Sequence, residues 1–231
     1  MITLRKSEER GHFQADWLDS RHTFSFDTYQ DPAHVHFRTL RVINEDRVAP
    51  GAGFPLHPHR DMEIITFILS GALEHQDDLG HREIIRAGQV QRITAGTGIR
   101  HSEANPSADE EVHLLQIWIF PEVKDLPPSY ETRRFDALGG DGLRLLASRD
   151  GRQGSAVVHQ DVGLYAGALA DGGHLEHRLA PGRYAWLQLT EGALTLNGTF
   201  MTAGDGAAVS DETVLQVLAR SQTSFILFDL G

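Results

Sequence analysis

The chain has 231 residues, 40% of them hydrophobic, enough for one large β domain or two of about 100 residues each. Its 21 Lys and Arg are outnumbered by 32 Asp and Glu, giving a formal charge of -11 that disfavours a nucleic-acid surface, which needs clustered cations. There is no cysteine, so disulfides, thiolate zinc sites and iron–sulfur centres are excluded, and any metal must be held by nitrogen and oxygen.

The first residues, Met1 to Arg10, are charged where a signal peptide needs an apolar run, and no stretch reaches membrane-spanning length. A soluble, cytoplasmic protein is the expectation. A first histidine pair, His34 and His36, follows Asp31-Pro32 and reads as part of a solvated loop, because no second ligand pair accompanies it. A second, His57-Pro-His59, stands between Gly51 and the β-rich run Glu63-Ile-Ile-Thr-Phe-Ile-Leu69. Period two puts His57 and His59 on one strand face, about 7 Å apart along the strand, so their imidazoles can converge on one ion. Glu63 is in register by parity, unless a strand bend breaks that register.

With thirteen histidines in the chain, one His-x-His pair is close to chance. What raises this one is Thr94-Ala-Gly-Thr-Gly-Ile-Arg-His101-Ser-Glu103-Ala-Asn105, where a glycine-rich turn delivers His101-x-Glu103 with the same period. Two such pairs on neighbouring strands make a set of three imidazoles and one carboxylate, with positions left for water or substrate. Imidazole and carboxylate serve Fe, Ni, Co, Cu, Mn and Zn alike.

His113-Leu-Leu-Gln-Ile-Trp-Ile-Phe120 and Tyr184-Ala-Trp-Leu-Gln-Leu-Thr190 also read as strands. Turn signals recur closely, among them Ser70-Gly71, Leu79-Gly80, Ala87-Gly88, Gly139-Gly140, Gly172-Gly173, Asn197-Gly198 and Ala203-Gly204-Asp205-Gly206, which suits an all-β sandwich or barrel. Pro121 to Arg134, with Pro127-Pro128 and a cluster of charges, reads as a linker and marks the domain boundary. The halves echo each other: Leu69-Ser-Gly-Ala-Leu-Glu74 is matched by Leu189-Thr-Glu-Gly-Ala-Leu194, a weak internal duplication. The second half offers only His174-Leu-Glu-His177, whose spacing does not put two imidazoles on one strand face, so it keeps the fold without the site.

In combination these residues resemble the pirin family of the cupin superfamily. The resemblance rests on His22-Thr-Phe-Ser-Phe26, Leu40-Arg-Val-Ile-Asn44, Gly53-Phe-Pro-Leu-His-Pro-His-Arg-Asp-Met-Glu-Ile64, Glu74-His-Gln-Asp77, the 94–105 segment, Leu115-Gln-Ile-Trp118 and Tyr130-Glu-Thr-Arg-Arg-Phe135. It implies two cupin barrels (double-stranded β-helix, or jelly-roll) in one chain: residues 1–130 carrying one divalent metal, and 131–231 a degenerate barrel without one. It implies His57, His59, His101 and Glu103 as the ligands and Fe(II) as the metal, with Glu63 outside the ligand set. The activity implied is a quercetin 2,3-dioxygenase, which opens a flavonol ring with O2 and releases carbon monoxide, with Glu103 also taking the substrate proton. Phe24, Phe26, Phe37, Phe54 and Trp118 are then candidate pocket walls, and His75 and Gln116 the polar groups nearest the metal. The competing implication is a non-enzymatic, metal-binding and redox-sensitive partner of a transcription factor.

Overall fold

The computed structural model describes residues 1–135 and 142–231; the Gly139-Gly140 turn signal lies outside the described residues. Among the described residues the chain is built from 22 strands and two short 3-10 turns. All of the strand pairings that follow are antiparallel.

One compact unit comprises residues 11–135 and 156–160. Its larger sheet runs, in spatial order, Ser129–Arg134, Gln89–Thr94, Glu63–Ser70, Val112–Ile119, Leu40–Val48, Leu18–His22 and Gly11–Ala15. Its smaller sheet runs Gly53–His59, Ile99–Ala104, Ala72–Asp77 and Arg82–Arg86. Period two divides each strand into an inward and an outward face. At one end of the interior, Leu18, Val48, Ile68, Leu73, Ile85, Val112 and Leu114 cluster, and at the other Ile64, Ile93, Ala95 and Ile99 pack with Trp118 and Tyr130.

Between these two apolar clusters the inward positions turn polar. Cross-strand register aligns Gln91 with Thr66, Thr66 with Gln116, Gln116 with Asn44, and Asn44 with His22. Five strands thus contribute one row of amides, a hydroxyl and an imidazole at one level of the barrel. Gln91, Thr66, Asn44 and His22 are all buried. Since buried polar groups are costly without partners, such a row marks a level with a use other than packing.

The other unit comprises residues 1–10 and most of the chain from 142 onward, without 156–160. One sheet orders Ile2–Arg5, Gly206–Val209, Tyr184–Glu191, Thr223–Leu230, Val162–Leu169 and Gly142–Ser148; the second orders His174–Arg178, Val214–Ala219, Ala193–Leu196 and Thr199–Thr202. Its interior is filled by Leu187, Leu189, Leu194, Leu196, Met201, Val217, Phe225 and Leu227. Among the described residues there is no comparable polar row, and His177 is engaged with Asp229 at 3.0 Å.

Two features of the sequence reading need correction. The segment 121–134 is not wholly a linker: Ser129–Arg134 is a strand paired with Gln89–Thr94 over six residues. Its charges concealed it, because Glu131 and Arg92 form a well-covered ion pair at 2.8 Å rather than a solvated cluster. The division expected at 130/131 also differs from the compact units, since residues 1–10 pair and pack with the later half through Ile2–Arg5. Among the described residues, no helix is long and apolar enough to cross a membrane.

One close approach between strands sets the geometry of the site. Gly53 faces Ala104, and a Cβ there would lie 2.2 Å from the Glu103 carbonyl oxygen and 2.5 Å from the Ala104 Cα. Backbone atoms cannot yield as a flexible side chain does. Gly53→Ala is therefore expected to lower stability by about 1–3 kcal/mol, read from urea unfolding of metal-free protein.

Candidate metal centre

The strands Gly53–His59 and Ile99–Ala104 place the first candidate ligands. They pair antiparallel with His57 directly opposite His101 and His59 opposite Ile99. The Gly96-Thr-Gly98 turn makes this register possible: Gly96 has φ of 45° and a Cβ would fall 1.9 Å from the Leu126 carbonyl oxygen. Only glycine fits there. The ring centroids of His57, His59 and His101 lie 4.5 to 4.8 Å from one another. One nitrogen from each ring can be chosen so that all three lie within 4.8 Å of each other.

Hydrogen bonding indicates which nitrogens are free. His57 Nδ1 is 2.8 Å from the Pro55 carbonyl oxygen, so Nδ1 carries the proton and Nε2 keeps its lone pair. His75 Nε2 lies 3.0 Å from the Asp77 carboxylate and donates to it. His75 Nδ1 is then an acceptor, and His101 Nδ1, 3.3 Å away, donates to it. The lone pair of His101 consequently sits on Nε2, a buried atom without a protein partner. Burial works against ionisation of Asp77, but its hydrogen bonds from His75 and His81 prevail and hold the carboxyl below its usual range. Burial, together with the neighbouring imidazoles, pushes both His59 and His101 down to about 3, so both are neutral donors at pH 7.

Glu103 follows His101 across a bulge and is 2% exposed. The Gln91 amide donates to its Oε1 at 3.0 Å and the Gln116 amide to its Oε2 at 2.9 Å. Its Oε1 lies 4.0 Å from His101 Nδ1, and a ligand atom from each of His75, His101 and Glu103 forms a second, overlapping cluster. The three histidines thus converge on one another, while Glu103 joins the group through His101. An orphaned Nε2, three converging imidazoles and one carboxylate without sulfur fit a divalent transition metal.

His57, His59 and Glu103 open onto a cavity of about 410 Å³, within the range of small-molecule sites. Phe26, Phe54, Gln116 and Trp118 line it, as do Phe13, Trp17, Leu18, Ser20, His22, Asn44 and Asp46. Phe26 meets Trp118 edge-on at 5.4 Å, and Trp17 meets Phe54 at 5.3 Å. Phe24 and Phe37 are not among the lining residues.

His75 also departs from its expected place in the pocket. It is fully buried behind His101, bonded to Asp77 and stacked on Tyr130 at 4.6 Å. Glu63 is outside the cluster as well, accepting from Thr94 at 3.0 Å and meeting His159 at 3.1 Å. His34 and His36 turn to Asp31 and the Arg38 carbonyl respectively.

Sequence reasoning missed Ser20, Asp46, Thr66 and Gln91. The available signal was the alternation of polar residues within apolar strands, such as Asn44 and Asp46 between Val42 and Val48. Ser20 donates to Asp46 at 2.5 Å, and burial pushes the Asp46 carboxyl up to about 7. A carboxyl whose folded-state value exceeds its unfolded value costs stability as pH rises from about 4 to 7 and keeps that cost above 7. Asp46→Asn should therefore stabilise metal-free protein at pH 8 by on the order of 4 kcal/mol, with the gain vanishing toward pH 4. Paired urea titrations at the two pH values check this.

A family model described as Pirin matches residues 3–119, and one described as Quercetinase C-terminal cupin domain matches 145–230. The chain is 50% identical over 230 residues to the quercetin 2,3-dioxygenase of Escherichia coli strain K12, covering 100% of this chain and 99% of the relative. The crystal structure of YhhW from Escherichia coli superposes with a TM-score of 0.97 at 49% identity, covering 100% of this chain and 98% of that one. The bacterial pirin YhhW in complex with nickel(II) gives 0.95 at 49% identity, covering 100% and 99%. With both halves matched by family models and its whole length matched by these relatives, the chain belongs to the pirin family and carries two cupin domains.

Proposed function

We propose that this chain is a metal-dependent dioxygenase that opens the flavonol ring of quercetin with O2 and releases carbon monoxide. The convergence of three imidazoles, two of them, His57 and His59, on the lining of an aromatic cavity, carries the reading. Similarity to a relative named quercetin 2,3-dioxygenase supports the substrate, and a nickel(II) complex of another relative supports a divalent ion. His57, His59, His101 and Glu103 would hold that ion, with Fe(II) our choice of native metal and Ni, Co, Cu, Mn and Zn the alternatives.

A divalent metal bound here supplies Lewis acidity that favours the ionised form of a flavonol 3-hydroxyl. The residues do the rest. Glu103 is the acceptor for the hydroxyl proton, because it is the carboxylate shared by the histidine cluster and the cavity. Gln91 and Gln116 fix both its oxygens, so it meets the substrate in one orientation. Phe26, Trp118 and Phe54 offer ring faces and edges to a planar substrate and displace water from the electron-rich flavonolate that O2 attacks.

The test is to load metal-free protein separately with Fe, Ni, Co, Cu and Mn and to follow the visible absorbance of quercetin in air, under nitrogen and with chelator. Loss of the band only with metal and O2 is expected. No turnover with any of these metals would overturn the proposal.

A further inference from the structure

The polar row across the barrel divides into two parts with different uses. Gln91, Thr66 and Gln116 bond to one another, and the two amides grip Glu103. Asn44 and Asp46, two residues apart on the next strand and so about 7 Å apart on one face, are not the groups that hydrogen-bond Glu103, although Asn44 stands opposite Gln116 and the Glu103 charge reaches Asp46. Both line the cavity, with Ser20 opposite Asp46 in register.

Asn44 is 3% exposed, yet its Oδ1 has no protein partner. Asp46 is 4% exposed and receives the Ser20 hydroxyl on Oδ1. A buried carbonyl oxygen left unpaired beside a cavity is explained most simply by a donor on the molecule that fills the cavity. An amide carbonyl and a carboxyl together present acceptors, which an anionic or purely apolar group would not satisfy. The remaining lining, from Trp17, Phe54, Phe26 and Trp118, favours a flat aromatic body.

We propose that Asn44 and Asp46, the latter oriented by Ser20, are specificity-determining residues that accept hydrogen bonds from phenolic hydroxyls on the part of the substrate directed away from the metal. This rests on the flavonol reading above and narrows it: the site selects polyhydroxylated flavonols over those bearing only the hydroxyl–carbonyl edge that faces the metal. The acceptors add affinity for the hydroxylated ring and leave the metal-facing edge untouched.

The experiment titrates nickel-loaded protein under nitrogen with quercetin and with 3-hydroxyflavone, which lacks the additional hydroxyls, and reads the flavonol absorbance shift. Asn44→Ala should weaken quercetin about tenfold and 3-hydroxyflavone by less than about twofold, at unchanged nickel content. Asp46→Asn keeps the side-chain volume and the bond from Ser20 but turns an amide donor toward the cavity, so it should show the same selective loss. It serves as the fold-preserving variant should Asn44→Ala not fold. Equal weakening of both flavonols, or none, in the folded variants would overturn the assignment while leaving the dioxygenase reading intact. Binding of neither flavonol to the wild-type protein would overturn both.

Discussion

His101→Ala is expected to reduce bound metal from about one equivalent per chain to less than about a tenth after desalting, measured by elemental analysis. His101 is the hub of the cluster: it stands opposite His57, belongs to both groups of converging ligand atoms, and carries the orphaned Nε2. Its other nitrogen is already committed to His75, and through it to Asp77, which fixes the ring plane and the tautomer. Alanine removes a ligand and releases that relay together. His34→Ala is the control, because His34 is partly exposed and bonded to Asp31. Equal metal content in the two variants would refute the ligand assignment.

Glu103→Gln is expected to lower quercetin turnover by about 10² to 10⁴-fold on protein whose metal content has been verified. The amide keeps the size of the carboxylate but loses the capacity to take a proton. It also sets an amide donor against those of Gln91 and Gln116, so the new side chain must rotate or forfeit a bond. Some loss of metal affinity accompanies this if Glu103 is a ligand, and measuring turnover per bound metal separates the two effects. Turnover per metal equal to that of the wild type would remove Glu103 from the proton transfer.

The pairs His57-x-His59 and His101-x-Glu103 were legible in the sequence because a strand repeats every two residues, and a glycine-rich turn before the second pair announced the return of the chain. What the sequence could not convey was register. That His57 faces His101, rather than a residue one step away, depends on the Gly96 turn and on the bulge before Glu103. The same holds for the row Gln91, Thr66, Gln116, Asn44 and His22, whose members are scattered over the chain and meet only when five strands align.

His75 was misplaced for a related reason. Its motif and its strand were evident, but whether it lay in front of His101 or behind it depends on which ring face the neighbouring strand Ala72–Asp77 covers, and that strand covers the buried side. The strand Ser129–Arg134 was obscured by composition, since Glu131 reads as solvated when Arg92 in fact pairs with it, and the Tyr130 and Thr132 hydroxyls donate to Glu83.

Flavonol dioxygenation at the His57, His59, His101 and Glu103 centre is tested most directly by counting carbon monoxide in the headspace against quercetin consumed by the Fe(II)-loaded protein. One carbon monoxide for each quercetin, abolished by chelator, is the expected result. Quercetin loss without carbon monoxide, or no loss at all, would contradict it.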